Sequence, residues 1–484
     1  MIQDYICAML QTFIEQYFGK NNIQSLNTLA QAGSNRKYFR VVLVDQQSYI
    51  VCENENIDEN ETFIYFTKFF LDKGVRVPTI LQVHPNKKIY IIEDLGSVCL
   101  LDVVLKNKDQ NEIRELYEQS LQGLLTMQLK GGKDIDYSKC FSNAQFDKNA
   151  ILADLNYFKY YFLDLHDITY NKAQLQAEFD LLATNIAAVP NDYFMFRDFQ
   201  GRNIMIKNNV PYFIDYQGGM RGPLQYDVAS LLWQAKAALP FELKESLYQY
   251  YKTQLSSQRQ IDENAFDHQY YSILLIRLLQ VLGAYGLRGI IEQRNHFLSS
   301  IPYGLQNINE WITHYAMAIK QFPTLQGILQ AMGSETMKTK YPLAKQYNHK
   351  TLKVLVQSFS YKKGIPDDNS GNGGGFMFDC RGILNPGRFE EYKKLTGRDQ
   401  PVIAFLESKT KMPSFINHAK NIVAISVEDY MERGFEHLQI SFGCTGGQHR
   451  SVYCADAMAK MLREQYGVEV QVKHLIQDEK NWIN

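Results

Sequence analysis

The sequence predicts an α+β unit of two lobes followed by a smaller α/β unit, and three observations carry that reading. Short β-branched and aromatic runs separated by turn residues fill the first hundred positions, and apolar residues then recur at helical spacing as far as 332. A polar loop, Arg197-Asp198-Phe199-Gln200-Gly201-Arg202-Asn203, interrupts the helical stretch and is followed by an apolar run, Tyr212-Phe213-Ile214, that ends in Asp215. Beyond a polar, basic break at 333–350, strand-like runs alternate with helices again.

The elements follow in order. Residues 1–25 read as an amphipathic helix with Ile6, Leu10, Phe13, Ile14 and Phe18 on one stripe. A strand from Leu29, a tight turn at Gly33-Ser34-Asn35, a second strand through Leu43 and a third at Ser48–Cys52 come next. Glu59–Asp72 is a helix with Phe63, Phe66 and Phe70 on one face, and Ile89–Ile92 is a buried strand running into Glu93-Asp94-Leu95-Gly96. Helices dominate 100–190 and 240–332, and the aromatic stretch Leu155–Leu165 reads as helical core. In the last unit, strands are expected at Leu352–Phe359, Phe376–Asp379, Ile422–Val427 and Leu438–Phe442, with a helix at Val452–Leu462 and a Gly-rich loop at Asp367–Gly375. The domain boundaries so drawn are 1–98, 99–332, a linker at 333–350, and 351–484.

Composition excludes several classes. Net charge is −1 in 484 residues, so no global field favours nucleic acid or a membrane surface. The seven cysteines are scattered without a C-x-x-C pair, which argues for reduced thiols in a cytoplasmic setting and against a disulfide scaffold or zinc site. The N-terminus lacks a basic region before its apolar residues, and no run of 18 apolar residues exists, so neither a signal peptide nor a membrane span is expected.

The central loop carries the chemistry. Phosphoryl transfer needs a carboxylate to accept the acceptor hydroxyl's proton and oxygen ligands to hold Mg²⁺ on the nucleotide phosphates. Asp198 suits the first task; Asn203, five residues on, and Asp215 at the end of its strand suit the second. FRDFQGRNIM (196–205) and IDYQGGMRGPLQYDVASLLW (214–233) resemble the aminoglycoside-phosphotransferase-like kinases, a protein-kinase-like fold. They are most similar to the branch that phosphorylates cell-wall amino sugars, N-acetylmuramate and N-acetylglucosamine, at the anomeric hydroxyl. The resemblance implies an ATP- and Mg²⁺-dependent sugar kinase. It places a phosphate-covering hairpin at Ser34, Arg36, Lys37 and Arg40, and an adenine-holding hinge at Glu93, Asp94 and Leu95.

This chain departs from the family at two points. Phe196 stands where a His usually precedes the catalytic Asp by two, and Val51 or Cys52 stands where protein kinases carry the phosphate-pairing Lys. Arg36, Lys37 or Arg40 is expected to supply that charge, and Glu61 is either its helix partner or an exposed first-turn residue. Asp227 is expected to hold the catalytic loop backbone, Gly283 to allow close helix approach, and Arg277 either to reach substrate or to form a surface ion pair.

The last unit concentrates its chemistry in Gly443-Cys444-Thr445-Gly446-Gly447-Gln448-His449-Arg450-Ser451, between a strand and a helix. Such a loop turns backbone N–H groups toward an anion, and His449 and Arg450 add charged donors. Cys444 and Arg450 also fit the Cys-x5-Arg-Ser spacing of cysteine phosphatases, with Gly443 replacing the usual His. SFSYKKGIP (358–366), FDCRGILNPGRF (378–389), LTGRDQPVIAFLE (395–407) and GCTGGQHRSVY (443–453) together resemble the C-terminal domain of RapZ-type proteins. The resemblance implies a glucosamine-6-phosphate sensor using Asp379, Cys444, Thr445, Gly446, Gly447, His449, Arg450 and Ser451. It also implies an RNA or protein partner, for which Lys362, Lys363, Arg381 and Arg388 are candidate contacts. The chain is thus expected to be a cytoplasmic amino-sugar kinase with a fused phosphosugar sensor. The competing expectations are a regulatory adaptor with an impaired kinase domain, and a phosphatase in the tail.

Overall fold

The computed structural model describes residues 2–29, 36–106, 109–343, 352–368 and 375–479. It divides into two compact units, Met1–Leu343 and Ala344–Asn484. The first opens with the helix Ile2–Phe18, which stops at Gly19, whose φ of 81° is open to glycine but strained for other residues. The expected helix over 1–25 is therefore too long, because Ile23–Thr28 is already the first strand. Five antiparallel strands follow in the order Ile23–Thr28, Lys37–Leu43, Ser48–Glu53, Ile89–Glu93, Ile80–Val83. The turn that contains Ser34 lies outside the described residues.

Register explains why the central strand carries no cation. Val51 pairs with Phe39 on one side and Ile91 on the other, and both Val51 and Cys52 are completely buried. Leu10, Phe13 and Ile14 of the first helix cover one face of this sheet. The helix Ile57–Asp72, capped by the Asn56 side chain accepting the Glu59 N–H, packs Phe63, Phe66 and Phe70 against the main core.

The second lobe is helical around Glu263–Tyr285. This helix crosses Lys148–Tyr161 in backbone contact: a Cβ on Gly283 would stand 2.9 Å from the Phe158 nitrogen, and one on Gly286 would overlap the Tyr161 carbonyl. The stretch Glu263–Ile291 is long and apolar enough to cross a membrane by composition, but most of it is buried in this lobe. Leu155, Phe158, Phe162 and Leu163 are buried, so the aromatic stretch there is core. The expected linker at 333–350 begins as structure instead. Ser334 caps the helix Glu335–Lys340, Met337 is buried, and the Tyr341 hydroxyl meets His166 Nε2 at 2.9 Å.

The second unit is a four-stranded parallel sheet in the order Gly375–Asp379, His437–Cys444, Lys353–Ser360, Glu469–His474, with the helix Arg450–Tyr466 packed against it. Its fourth strand was not anticipated. The expected strand at Ile422–Val427 is instead part of the helix Met412–Arg433. Val423 and Val427, four residues apart, are buried, while Ile425 between them is exposed, which is helical periodicity written in β-branched residues.

Candidate active site and the glycine loop of the second unit

The strand Tyr193–Met195, paired with Met220–Gly222, delivers the chain to Phe196. There the Phe196 and Arg197 N–H groups both donate to the buried Asp227 carboxylate, at 2.6 and 3.0 Å. Burial pushes the Asp227 carboxyl up to about 7, against the pull of those two bonds. Arg197 takes φ 78°, unusual for a side-chain-bearing residue. Its guanidinium is anchored on both Asp154 oxygens at 2.8 and 2.6 Å and on the Tyr226 hydroxyl at 2.8 Å. Phe196 is fully buried, 5.1 Å from the Phe199 ring and 6.1 Å from Tyr216. Phe196 is thus an apolar wedge between the loop at Asp198 and the turn at Asp215.

The loop so braced presents Asp198, whose side chain is 33% exposed. Gln200 Nε2 donates to Asp198 Oδ1 at 2.6 Å, and Arg202 Nη2 to Oδ2 at 2.7 Å. Asn203 Nδ2 donates to the Asp198 carbonyl at 2.9 Å and to Oδ2 at 3.2 Å, which leaves the amide oxygen as the Asn203 atom for a cation. Arg277 Nη2 reaches Oδ1 at 3.4 Å from inside the helical lobe, so it is a buried neighbour of the Asp198 carboxylate and not a surface ion pair. Burial alone would raise the Asp198 carboxyl, but Arg202 and Arg277 outweigh it and hold the group below the usual carboxylate range.

A two-stranded hairpin, Ile204–Lys207 with Val210–Phe213, brings Asn203 and Asp215 together, and the Ile214 N–H donates to the Asn203 carbonyl at 3.0 Å. Asp215 sits in the left-handed region at φ 72° with its side chain 32% exposed. Magnesium needs one or two protein ligands when nucleotide phosphates supply others, so an amide oxygen and a carboxylate fit it.

Of the three candidate cations, the structure brings Arg36 to this cluster. Arg36 Nη2 meets Asp215 Oδ1 at 2.5 Å, and its Nε lies 3.4 Å from Glu59 Oε1. The helix carboxylate is thus Glu59, which sequence reasoning missed; Glu61 instead pairs with Lys87 in an exposed contact. Lys37 pairs with Glu53 on the sheet. Arg40 clamps the hinge, donating to Asp94 Oδ2 at 2.6 Å, Oδ1 at 3.0 Å and the Gly96 carbonyl at 3.0 Å. Lys207 Nζ adds a bond to Glu93 Oε1 at 2.8 Å, and Leu95 is buried. The Glu93 and Asp94 side chains are therefore occupied in fixing this segment.

In the second unit the loop follows the strand His437–Cys444, at the carboxyl edge of the parallel sheet where ligands bind in α/β folds. Gly447 takes φ 68°, and its N–H donates to Cys444 Sγ at 3.2 Å, as close as the Ser451 hydroxyl. Burial pushes the Cys444 thiol up, but Ser451, the backbone and Arg450 bring it below its ordinary value. His449 and Arg450 do not line the opening as expected. His449 is 6% exposed and its Nε2 is 2.9 Å from the Tyr392 carbonyl. Arg450 is 3% exposed, with Nη1 on the carbonyls of Cys380, Arg381 and Ile383 at 3.2, 3.1 and 2.6 Å. Its buried Nε has no acceptor among the described residues. Thr445 and Gly446 are the exposed part of the loop, and Asp379 is tied to Arg381, which lies 3.8 Å over the Tyr361 ring. A phosphatase needs an accessible thiolate with Arg facing the phosphate, and this loop has neither.

Residues 26–263 match the family described as "Phosphotransferase enzyme family", and residues 352–478 match "RapZ C-terminal domain". A "Nucleotide-binding protein" of Glaesserella parasuis serovar 5 is 31% identical over 38% of this chain and 62% of its own length. Another from Cereibacter sphaeroides is 42% identical over 23% of this chain and 36% of its own length. The chain thus spans only part of these curated relatives. Similar solved structures include the choline kinase LicA from Streptococcus pneumoniae, at 15% identity and a TM-score of 0.41 over 66% of this chain and 99% of that one. An ADP-bound aminoglycoside phosphotransferase is also similar, at 14% identity and a TM-score of 0.41 over 67% of this chain and 99% of that one. The chain therefore joins a phosphotransferase-family domain over residues 26–263 to a RapZ C-terminal domain over residues 352–478.

Proposed function

We propose that the first unit transfers the γ-phosphoryl group of ATP to a hydroxyl of an amino sugar of the N-acetylmuramate or N-acetylglucosamine type, and that the second unit binds a phosphorylated amino sugar. The observation that carries the first part is the convergence of Asp198, Asn203 and Asp215 through one braced loop and one hairpin. Asp198, kept ionised by its two arginines, accepts the proton of the acceptor hydroxyl as the new O–P bond forms. The Asn203 amide oxygen and the Asp215 carboxylate would hold Mg²⁺, which supplies charge neutralisation on the nucleotide phosphates. Arg36 is the cation nearest that place, and the Glu93–Leu95 backbone is the adenine hinge. The sugar assignment rests on the resemblance of the loop and the Asp215 segment to the amino-sugar branch.

For the second unit, a glucosamine-6-phosphate-like ligand would meet Thr445, Gly446 and Arg381 at the carboxyl edge of the sheet, with Arg450 Nε a buried donor left for it. An RNA or protein partner on Arg381 and Arg388 belongs to the same proposal. The test is ADP release by the full chain across a panel of amino sugars. Sugar-dependent release, lost in Asp198→Asn and Asp215→Ala, is the expected result. Nucleotide binding with no release from any sugar leaves a nucleotide-binding adaptor instead.

A further inference from the structure

A cavity of about 550 Å³, the size of a small-molecule site, lies in the first unit, and neither Asp198, Asn203 nor Asp215 lines it. One wall is the helix Gln110–Gly131, whose stripe of Leu116, Tyr117, Leu121 and Leu125 is buried in the core. Glu115, Gln119, Gln122 and Thr126 recur at helical spacing on its polar side and face the cavity. Arg76 lines it from the turn that follows the helix Ile57–Asp72. Phe213, two residues before Asp215, closes it from within. The Phe213 N–H donates to the Arg76 carbonyl at 2.9 Å, and its ring lies on Gly123, where a Cβ would stand 2.4 Å from Phe213 Cζ. The same ring is 5.5 Å from that of Phe199, which adjoins Asp198. One residue of the cavity wall thus touches both segments of the candidate active site.

The walls hold two opposite charges that do not meet. Glu118 is answered by Arg114 at 3.3 Å. Neither the Glu115 carboxylate nor the Arg76 guanidinium has a hydrogen bond or ion pair among the described residues, and both residues are exposed. They line one cavity without pairing with each other. A molecule that carries an ammonium and a carboxylate answers both charges, whereas a simple cation or anion answers one and leaves the other. The Gln119 and Gln122 amides add donors and acceptors on the stripe that carries Glu115. The Thr126 hydroxyl donates to the Gln122 carbonyl at 2.9 Å and keeps its oxygen as an acceptor. These groups suit an uncharged polar side chain.

We propose that this cavity is an effector site for a free amino acid with an uncharged polar side chain, its ammonium on Glu115 and its carboxylate on Arg76, and that occupancy steadies Phe213 and the hairpin that leads to Asp215. The test uses calorimetry on the full chain with L-glutamine, L-serine and two capped forms of each: the N-acetyl derivative, which lacks the ammonium, and the amide, which lacks the carboxylate. At least one free amino acid is expected to bind about tenfold or more tightly than either of its capped forms, the order of a charge-assisted hydrogen bond. Glu115→Gln should abolish the preference over the N-acetyl form and leave the preference over the amide. Arg76→Gln should do the reverse. Both side chains are exposed and make no contact that folding depends on, so both variants are expected to fold. Binding should persist with saturating ADP, and hydrogen exchange in the peptide 204–215 should slow by roughly fivefold or more when the amino acid is bound.

No binding of L-glutamine or L-serine, capped forms that bind as tightly, preferences that the two variants leave untouched, or displacement by ADP overturns the site. Binding that leaves exchange at 204–215 unchanged overturns its link to Asp215. None of these measurements requires turnover. A chain that binds the amino acid as described and releases no ADP with any sugar keeps this site and removes the kinase reading, and ADP release without amino-acid binding does the reverse.

Discussion

Two loops in this molecule carry arginine just after a strand, and they use it in opposite ways. In the first unit, Asp198 and Asp215 are each about one-third exposed, and Arg202 and Arg36 pair with them through their side chains. In the second, Arg450 spends one nitrogen on three backbone carbonyls, and His449 is turned onto a fourth. The first loop is a site whose scaffold lies elsewhere, in Asp227, Asp154 and Phe196. The second is largely its own scaffold. The lesson is that charge in a motif becomes binding capacity only where the surrounding backbone does not consume it.

The largest effect expected from this contrast is on turnover. Asp198→Asn should retain folding and nucleotide binding while lowering kcat by roughly 10²–10⁴-fold, the usual worth of a positioned base; near-normal turnover of the variant would remove Asp198 from that role. The second concerns stability. Arg450→Ala strips three carbonyls of a charged donor and should cost about 3 kcal/mol in the unfolding of the second unit, read from denaturant melts of the full chain. A stable variant that loses only ligand affinity would turn the comparison around and make Arg450 a contact residue. Third, Arg36→Ala should weaken nucleotide binding by roughly 10–100-fold, with Arg36→Lys recovering part of the loss, because the ammonium retains charge but not the reach to both Asp215 and Glu59. Titrations that leave affinity unchanged would move the phosphate cation to Lys37 or Arg40.

The smallest effect concerns pH. Because Arg202 and Arg277 hold the Asp198 carboxyl below its ordinary value, Asp198 stays ionised as pH falls and is protonated only on passing below the usual carboxylate range. The acid limb of kcat/KM that belongs to Asp198 should therefore lie below about pH 4, near the unperturbed carboxylate value, apart from any limb set by Asp227, which is pushed up to about 7. In Arg202→Ala burial is less opposed, so the limb should move upward. An acid limb that does not move in the variant excludes Arg202 as the group that sets it.

Much of the first site was legible in the sequence because its chemistry is local. Asp198, Asn203 and Asp215 lie within one loop and one hairpin, where spacing determines neighbourhood. What spacing could not reveal was the reach across elements. Arg36 meets Glu59 and not Glu61 because helix phase, set by the Asn56 cap, turns Glu59 inward. Arg277 finds Asp198 from 79 residues away, from the buried side of the helix Glu263–Tyr285. In the second unit the β-branched run at 422–427 suggested a strand, although the spacing of Val423 and Val427 already contained the helix. Spacing could not reveal the surroundings of Arg450 either, since the carbonyls that occupy its Nη1 come from a segment some seventy residues earlier.

The backbone contact at Gly283 and Gly286 has a consequence for how such an enzyme diversifies. It acts as a fixed datum: upstream of it, Arg277 is registered to Asp198, and downstream the chain turns through Gly286–Ile291 into a separate segment. Substitutions beyond the datum can reshape that segment without moving Arg277 relative to Asp198, so that what can vary and what must stay fixed occupy separate segments of one continuous helix and its extension.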